Sequence, residues 1–230
     1  MEKLHLDQHI SKQFDTDLED LKTRMLEMGG LVERQVNEAL KAVEMADSEL
    51  AVKVIEHENT VDALEVAIDE EATLLIARRQ PAASDLRMVM AVSRSVRDLE
   101  RIGDEAKKIA KMAIQLSEEG GAPKGYLELR HIGIQVQQML NSALDAFARF
   151  DAESALLVLP DDRKVDMDYK SAVRELITYM MEDPRSISRV MNILWTLKAV
   201  ERIGDHAKNI CEAVVYLVQG KDIRHTDNLD

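Results

Sequence analysis

Residues 98–110 read DLERIGDEAKKIA, and residues 199–210 read AVERIGDHAKNI. The five residues Glu-Arg-Ile-Gly-Asp recur unchanged at a shift of 101, and an Ala-Lys pair follows one residue later in both copies. Further upstream the chain matches itself at a shift of 104. The matched pairs there include Gly29 and Gly133, Leu40 and Leu144, Asp47 and Asp151, and Val61 and Val165. Long-period repetition of this kind predicts two related structural units in tandem.

The composition indicates an all-α protein. The chain has 230 residues, of which 46% are apolar and 3% aromatic, and it contains nine Gly and four Pro. This supplies ample apolar material for a buried core. The low content of Gly, Pro and aromatic residues disfavours a turn-rich β-sandwich or barrel.

Charge and cysteine content exclude several classes of protein. The chain has 43 acidic and 30 basic residues, a net charge of −13, so nucleic acid and bare anionic membrane are poor partners. The single cysteine, Cys211, excludes an intramolecular disulfide and a multi-cysteine metal site. The amino terminus lacks the apolar core of a signal peptide, and no apolar stretch approaches the roughly 18 residues that span a bilayer. We therefore expect a soluble, cytoplasmic protein.

Chain-breaking residues divide the sequence into six long segments. The strongest breakers are Pro81, the Gly-rich run 119–125, Pro160 and Pro184. Between them apolar residues recur every three or four positions, which is the spacing of an amphipathic helix. In the first segment they are Leu18, Leu21, Met25, Met28, Val32, Val36, Leu40 and Val43, and in the third they begin at Leu86 and continue through Val89 and Val92. The expected helices lie within 7–46, from about 48 to Pro81, from Ser84 or Asp85 to before Gly120, and over 126–150, 152–181 and 184–219.

The short connections between these helices determine the expected fold. Helices of about 30 residues are about 45 Å long, and short links force them to lie antiparallel. The sequence therefore predicts an all-α fold of two tandem, pseudo-symmetric antiparallel three-helix bundles. The expected domains are a first three-helix repeat over 1–120, a second over 125–220, and a polar tail over 221–230.

Pairs of acidic residues recur in both units. In each ERIGD copy a Glu and an Asp are four residues apart, so their side chains lie on one face of a helix. Such pairs are common in an acidic chain and are mostly solvated. Here each unit contains a second pair, one helix earlier. The four pairs are Glu58 and Asp62, Glu100 and Asp104, Asp162 and Asp166, and Glu201 and Asp205.

The position of the hairpin turns indicates that these pairs face each other. In an antiparallel hairpin two sites meet only if they are equally distant from the turn. The midpoint between the first two pairs falls at Pro81, and that between the second two at Asp183-Pro184. Four carboxylates are therefore expected to converge in each unit, an all-oxygen environment that suits Mg, Ca, Mn or Fe better than zinc. Gly103 and Gly204 permit close approach of a neighbouring helix, with or without a metal.

Several stretches together resemble the PhoU family, accessory proteins of bacterial phosphate-specific transport. They are HISKQFDTDLEDLKTRMLEMGGLVE at 9–33, VDALEVAIDEE at 61–71, RRQPAASDLRMVM at 78–90 and the two ERIGD copies, and the resemblance covers essentially the whole chain. It implies a pair of three-helix bundles, a homodimer, and metal bound by Glu/Asp-x-x-x-Asp motifs, iron in some members. The metal ligands that the resemblance implies are Glu58, Asp62, Glu100, Asp104, Asp162, Asp166, Glu201 and Asp205.

The same resemblance implies a regulatory function. The family represses the phosphate regulon when phosphate is plentiful and restrains phosphate uptake. It does so as an adaptor between the ATP-binding subunit of the phosphate transporter and the sensor histidine kinase, and it reaches the membrane only through these partners. The implied activity is binding and signalling, without enzymatic turnover.

The sequence disfavours two classes of enzyme. A ferritin-like di-iron enzyme needs Glu-x-x-His on two facing helices. The matches are Glu128-x-x-His131 and Glu2-x-x-His5, and the second lies at the terminus. A hydrolase is disfavoured because Cys211 lies beside apolar residues in the sixth helix, which indicates core packing.

Alternatives stay open for several further residues. His206 is either a peripheral metal ligand or a surface residue. Arg101 and Arg202 hold either an anion such as phosphate or a nearby acid in a salt bridge. Phe147 and Phe150, which flank Arg149, either pack in the core or anchor a partner. The rival to a metal site is a helical scaffold whose acidic pairs are simply solvated.

Overall fold

The computed structural model of the protein describes residues 12–118 and 126–224, and the side chains of 13–118 and 127–224. These residues form six α-helices, one short 3-10 helix and no β-strand. The helices are α1 Lys12–Met45, α2 Ser48–Arg79, α3 Ala83–Glu118, α4 Tyr126–Arg149, α5 Ala152–Glu182 and α6 Ile187–Gln219, and the 3-10 helix is Pro184–Ser186. The predicted all-α fold of two tandem three-helix bundles is confirmed. The predicted linker and most of the predicted tail, 119–125 and 225–230, lie outside the described residues, as do residues 1–11.

The first connection of each unit is the same turn. Ala46 and Phe150 have positive φ angles of 51° and 53°, and each is followed by an aspartate that caps the next helix. Asp47 Oδ1 accepts a hydrogen bond from the Leu50 amide at 2.9 Å, and Asp151 Oδ1 accepts one from the Ser154 amide at 3.0 Å. Because a side-chain cap satisfies an amide that the helix leaves free, these aspartates fix where α2 and α5 begin.

The second connections follow the predicted prolines, and three details of α3, α5 and α6 differ from the prediction. The α2–α3 turn contains Pro81, and the α5–α6 turn contains Pro184 as the first residue of the 3-10 helix. The prediction that a helix begins at 184 is therefore early by three residues. Pro160 does not stop α5, which continues through it. The sequence predicts Leu86 as a core residue of α3, but Leu86 is exposed, and the buried apolar residues of α3 begin with Met88 and Val89.

The two units share one continuous core. Their main contact is between α3 and α6, which run antiparallel, since Arg87 near the start of α3 donates to the carbonyl oxygen of Leu217 near the end of α6. A second contact joins α1 and α4. There a Cβ atom added to Gly29 would lie 2.6 Å from Leu144, and one added to Gly133 would lie 3.2 Å from Leu40. The glycines and leucines matched by the repeat thus pack against each other reciprocally.

None of the described helices combines the length and the hydropathy needed to cross a membrane.

Candidate functional site

The carboxylates of the first unit lie along the α2–α3 hairpin. Glu58 and Asp62 are on α2, and Glu100 and Asp104 are on α3. Burial raises the pKa of Glu100, and the negative charges of Asp104, Glu65 and Asp62 raise it further. Because Asp62 and Glu65 belong to α2, this coupling means that carboxylates from both helices lie close together.

Glu58 is the innermost carboxylate of this unit. It is completely buried, whereas Asp62 is exposed. Its Oε2 lies 2.5 Å from Nζ of Lys107, which is on α3, and the contact with Glu58 raises the pKa of that lysine. A buried carboxylate needs such a partner, because an isolated charge is costly to remove from water. The other oxygen, Oε1, accepts no hydrogen bond from any described residue.

The second unit repeats this arrangement along the α5–α6 hairpin. Asp162 and Asp166 are on α5, and Glu201 and Asp205 are on α6. Asp205 keeps contact with solvent, yet burial raises its pKa, and the charges of Glu201, Asp162 and Asp166 raise it further. The buried Asp162 accepts a hydrogen bond from Lys208, with 2.9 Å between Nζ and Oδ2. All four predicted carboxylates of this unit are therefore electrostatically coupled.

Lysine contacts occupy the inner carboxylates in both units. Lys107 holds Glu58 and Lys208 holds Asp162, and the two lysines are matched by the repeat. In the second unit Glu201 is held as well, by Lys198 with 2.5 Å between Nζ and Oε2. Within the part of the chain that the structure describes, no group of three or more Asp, Glu, His or Cys side chains is arranged to hold a metal ion.

The donor set nevertheless suits a hard cation. The carboxylates supply only oxygen ligands, as Mg²⁺, Ca²⁺ and Mn²⁺ prefer. Burial, and after it their mutual repulsion, raise the pKa values of Glu100 and Asp205, and a cation among the carboxylates would relieve the repulsion. Binding requires the carboxylates to turn toward one ion and compete with Lys107 or Lys208 for the inner oxygen atoms.

Sequence reasoning did not identify three members of this arrangement. Lys107 and Lys208 stand at the same place in both ERIGD copies, so the repeat itself contains the signal for them. Glu65 is three residues beyond Asp62 and on the same face of α2. Its match in the second unit is Tyr169, so a search for acids shared by both units passes over it.

The described residues give no support to either enzyme interpretation. Cys211 is fully buried, and burial raises the pKa of its thiol to about 12, so the thiol stays protonated and packs in the core as predicted. His131 is largely exposed and pairs with Asp168, with 3.4 Å between Nε2 and Oδ2. The second Glu-x-x-His match, Glu2 and His5, lies outside the described residues.

His206 is not a surface residue, and its interpretation as a peripheral metal ligand stays a prediction. The salt-bridge interpretation of the arginines is confirmed. His206 is mostly buried between α6 and α3, where its Nδ1 lies 2.8 Å from Oδ1 of Asp98. Arg101 contacts the adjacent Glu100 at 3.4 Å. Arg202 reaches across to the other unit and contacts Glu105 at 3.0 Å.

At the end of α4, Phe147 lies in the core, whereas Phe150 and Arg149 lie nearer the surface. Phe147 is fully buried, so the core interpretation holds for it. Phe150 is partly buried beneath Lys22, whose Nζ lies 4.7 Å from the ring centroid. Arg149 is exposed and pairs with Asp145 on its own helix.

Comparison with known proteins gives the family. The PhoU domain model matches residues 25–113 and again residues 129–214. The "Phosphate-specific transport system accessory protein PhoU homolog" of Pseudomonas aeruginosa is 60% identical over 96% of this chain and 91% of its own length.

Solved structures agree in fold. The crystal structure of PhoU from Pseudomonas aeruginosa superposes with a TM-score of 0.89 at 60% identity, covering 91% of this chain and all of that one. That of the phosphate transport system regulatory protein PhoU from Streptococcus pneumoniae gives 0.84 at 33% identity, covering 91% of this chain and 99% of that one. With two matched domains and these relatives, the chain belongs to the PhoU domain family.

Proposed function

We propose that this chain regulates phosphate transport, and that it acts by binding other proteins without enzymatic turnover. The observation that carries the proposal is membership of the PhoU family along both repeats. The relatives at 60% and 33% identity bear names that describe phosphate-specific transport accessory and phosphate transport regulatory proteins.

In its finer form the proposal makes the chain a negative regulator of the phosphate regulon and a modulator of phosphate uptake. It would act in the cytoplasm, as a homodimer, between the transporter ATP-binding subunit and the sensor histidine kinase. The family resemblance of the sequence supports these partners. Two related units that share one core give the molecule two similar faces, which suits an adaptor with two partners.

A phosphate-regulon reporter tests the regulatory proposal. In a strain that lacks this chain, reporter expression at high phosphate should rise, and the wild-type chain should restore repression. Cross-linking of the wild-type chain to the ATP-binding subunit and to the kinase tests the adaptor form. Unchanged repression in the deletion strain would contradict the regulatory role, and failure to cross-link either partner would contradict the adaptor.

We further propose that each unit binds a hard cation through its four carboxylates. The support is the all-oxygen donor set and the proximity of like charges, which adds to burial in raising the pKa values of Glu100 and Asp205. A bound cation would supply neutralising charge between the two helices and stabilise the hairpin that it bridges.

Elemental analysis of protein purified without chelator or affinity tag tests this proposal. Glu100→Gln/Asp104→Asn should remove the cation of the first unit, and Glu201→Gln/Asp205→Asn that of the second. The matched control is Asp15→Asn/Glu19→Gln, an acidic pair of the same spacing on α1 away from both sites. A cation content that is nil in the wild type, or equal in all variants, would overturn the assignment.

A metal-free adaptor is the second candidate, and the lysine contacts favour it. Lys107, Lys198 and Lys208 already neutralise the inner carboxylates. In that case Glu100→Gln/Asp104→Asn should raise the melting temperature or leave it unchanged in metal-supplemented buffer. A metal site predicts a lower melting temperature for the same variant.

A further inference from the structure

Gln35 is a buried amide that the fold leaves without a partner. It lies on α1 in the core of the first unit and is only 3% exposed. Neither its Oε1 nor its Nε2 forms a hydrogen bond with any described residue. Buried side-chain amides are nearly always paired, so an amide with both atoms unpaired points to a group that the fold is built to receive.

The amide and Glu58 face the same point on α3. A Cβ atom added to Gly103 would lie 3.3 Å from Oε1 of Gln35, 3.4 Å from Cγ1 of Val61 and 3.8 Å from Oε1 of Glu58. Glu58 is fully buried, and this oxygen forms no hydrogen bond with any described residue. The missing side chain of Gly103 therefore leaves a narrow notch, bordered by one amide oxygen from α1, one carboxylate oxygen from α2 and the Val61 methyl group.

The second unit has no such polar notch. The repeat places Met139 where the first unit has Gln35. A Cβ atom added to Gly204 would meet Val136 at 3.4 Å, Val165 at 3.7 Å and the Met139 methyl group at 3.8 Å. The corresponding space is apolar, so the polar notch is a feature of the first unit alone.

We propose that the amide oxygen of Gln35 is a cation ligand in the first unit, next to Oε1 of Glu58. This inference rests on the proposed carboxylate sites and adds to the first one an inner oxygen ligand. Hard cations such as Mg²⁺, Ca²⁺ and Mn²⁺ accept carboxylate and amide oxygens together, whereas a thioether is a soft ligand. The first site is therefore the tighter site for these ions, and Gln35 is the reason.

Substituting Gln35 by methionine gives the first unit the side chain of the second. The measurement is Mn²⁺ binding to the full chain by electron paramagnetic resonance and calorimetry, with Glu201→Gln/Asp205→Asn present so that only the first site remains. Gln35→Met should weaken binding by about 10- to 100-fold, a loss common when a supporting group of a metal site is removed. Equal affinity would overturn the inference.

Without metal, Gln35→Met should stabilise the protein, although it weakens Mn²⁺ binding. Methionine removes a buried unpaired amide at similar volume, so the melting temperature should rise by about 2–8 °C in chelator. If Gln35 were merely structural, its loss would lower the melting temperature instead. A lower melting temperature with unchanged Mn²⁺ affinity would therefore overturn the inference as well.

A glycine pair supplies a second test that leaves the amide in place. In the same background, Gly103→Ala puts a methyl group into the notch and should weaken Mn²⁺ binding, whereas Gly204→Ala meets only apolar atoms and should not. Equal affinities in these two variants would argue against an ion in the notch.

If the background protein with Gln35 intact binds no Mn²⁺, the carboxylate-site proposal and this inference both fall. If it binds Mn²⁺ and Gln35→Met binds equally well, only this inference falls.

Discussion

The two three-helix units have the same backbone plan and matched lysines, Lys107 and Lys208, on their inner carboxylates, but they differ in the residues that pack beneath these carboxylates. The first unit buries Glu58 with the polar Gln35 above Gly103. The second buries Asp162, one methylene shorter, and has Met139 at the position of Gln35. The repeat therefore places the carboxylates and their lysines at matching positions, but the inner carboxylate is buried more completely in the first unit than in the second. Two sites built on one plan are therefore not equivalent sites.

The largest difference between the units should come from removing the lysine partners. In metal-free protein, Lys107→Met leaves a fully buried carboxylate uncompensated and should cost about 3–5 kcal/mol. Lys208→Met leaves Asp162, which retains some exposure, and should cost about 1–3 kcal/mol. Urea denaturation in chelator measures both values.

The control for the lysine variants is Lys164→Met. This lysine pairs with Asp161 on the surface, so its loss should change stability by less than about 1 kcal/mol. Equal losses for Lys107→Met and Lys208→Met would contradict the difference in depth between the two sites.

Pro160 allows the two middle helices to be compared. It lies inside α5, where proline lacks the amide that would donate to the carbonyl one turn earlier, and the matched residue of α2 is Glu56. Pro160→Ala should therefore stabilise the protein by about 1–3 kcal/mol, and Glu56→Pro should destabilise it by about 3 kcal/mol. Thermal denaturation checks both changes. A destabilised Pro160→Ala protein would mean that α5 needs the proline for its packing.

The smallest expected effect concerns the outer carboxylate of the first unit. Burial and neighbouring carboxylates raise the pKa of Glu100 above its usual 4.5. An acid with a raised pKa destabilises the folded state above that pKa, and the cost disappears once the pH falls below the unfolded value. In metal-free protein, Glu100→Gln should therefore gain up to about 1 kcal/mol at pH 7 and nothing below about pH 4.

Denaturation of wild type and Glu100→Gln across this pH range measures the difference directly. Glu56→Gln is a suitable control, because Glu56 is exposed on α2 and its charge is not among those that raise the pKa of Glu100. If Glu100→Gln is still more stable than the wild type below about pH 4, the substitution relieves something other than charge repulsion.

The amino-acid sequence was sufficient for the helices and the hairpins. The stripe from Leu18 to Val43 gives α1 its buried face, and all of it except Leu40 is fully buried. Asp47 caps α2, as an aspartate directly before a helix commonly does. These features depend on local spacing and on residues next to each other in the chain, so they can be read without knowing the tertiary contacts.

Leu86 and His206 show where local spacing was insufficient. Leu86 continues the apolar spacing of α3, but its position near the helix start lies beyond the packed core. His206 differs from its match in the other copy, Glu105, and nothing local shows that it faces Asp98 on α3. Both outcomes depend on how far and at which rotation a neighbouring helix overlaps, which periodicity does not specify.

The sequence by itself determined the all-α fold, the two repeats, the hairpin turns and the faces that carry the eight acidic residues, because these follow from helical periodicity and self-similarity. Only the tertiary structure decided that Lys107 and Lys208 hold the inner carboxylates, and that Gln35 of α1 meets Glu58 of α2 over Gly103 of α3. The physical reason is that these contacts are made between residues of different helices. They depend on the depth, rotation and close approach of each pair of helices, which a pattern along one chain does not contain.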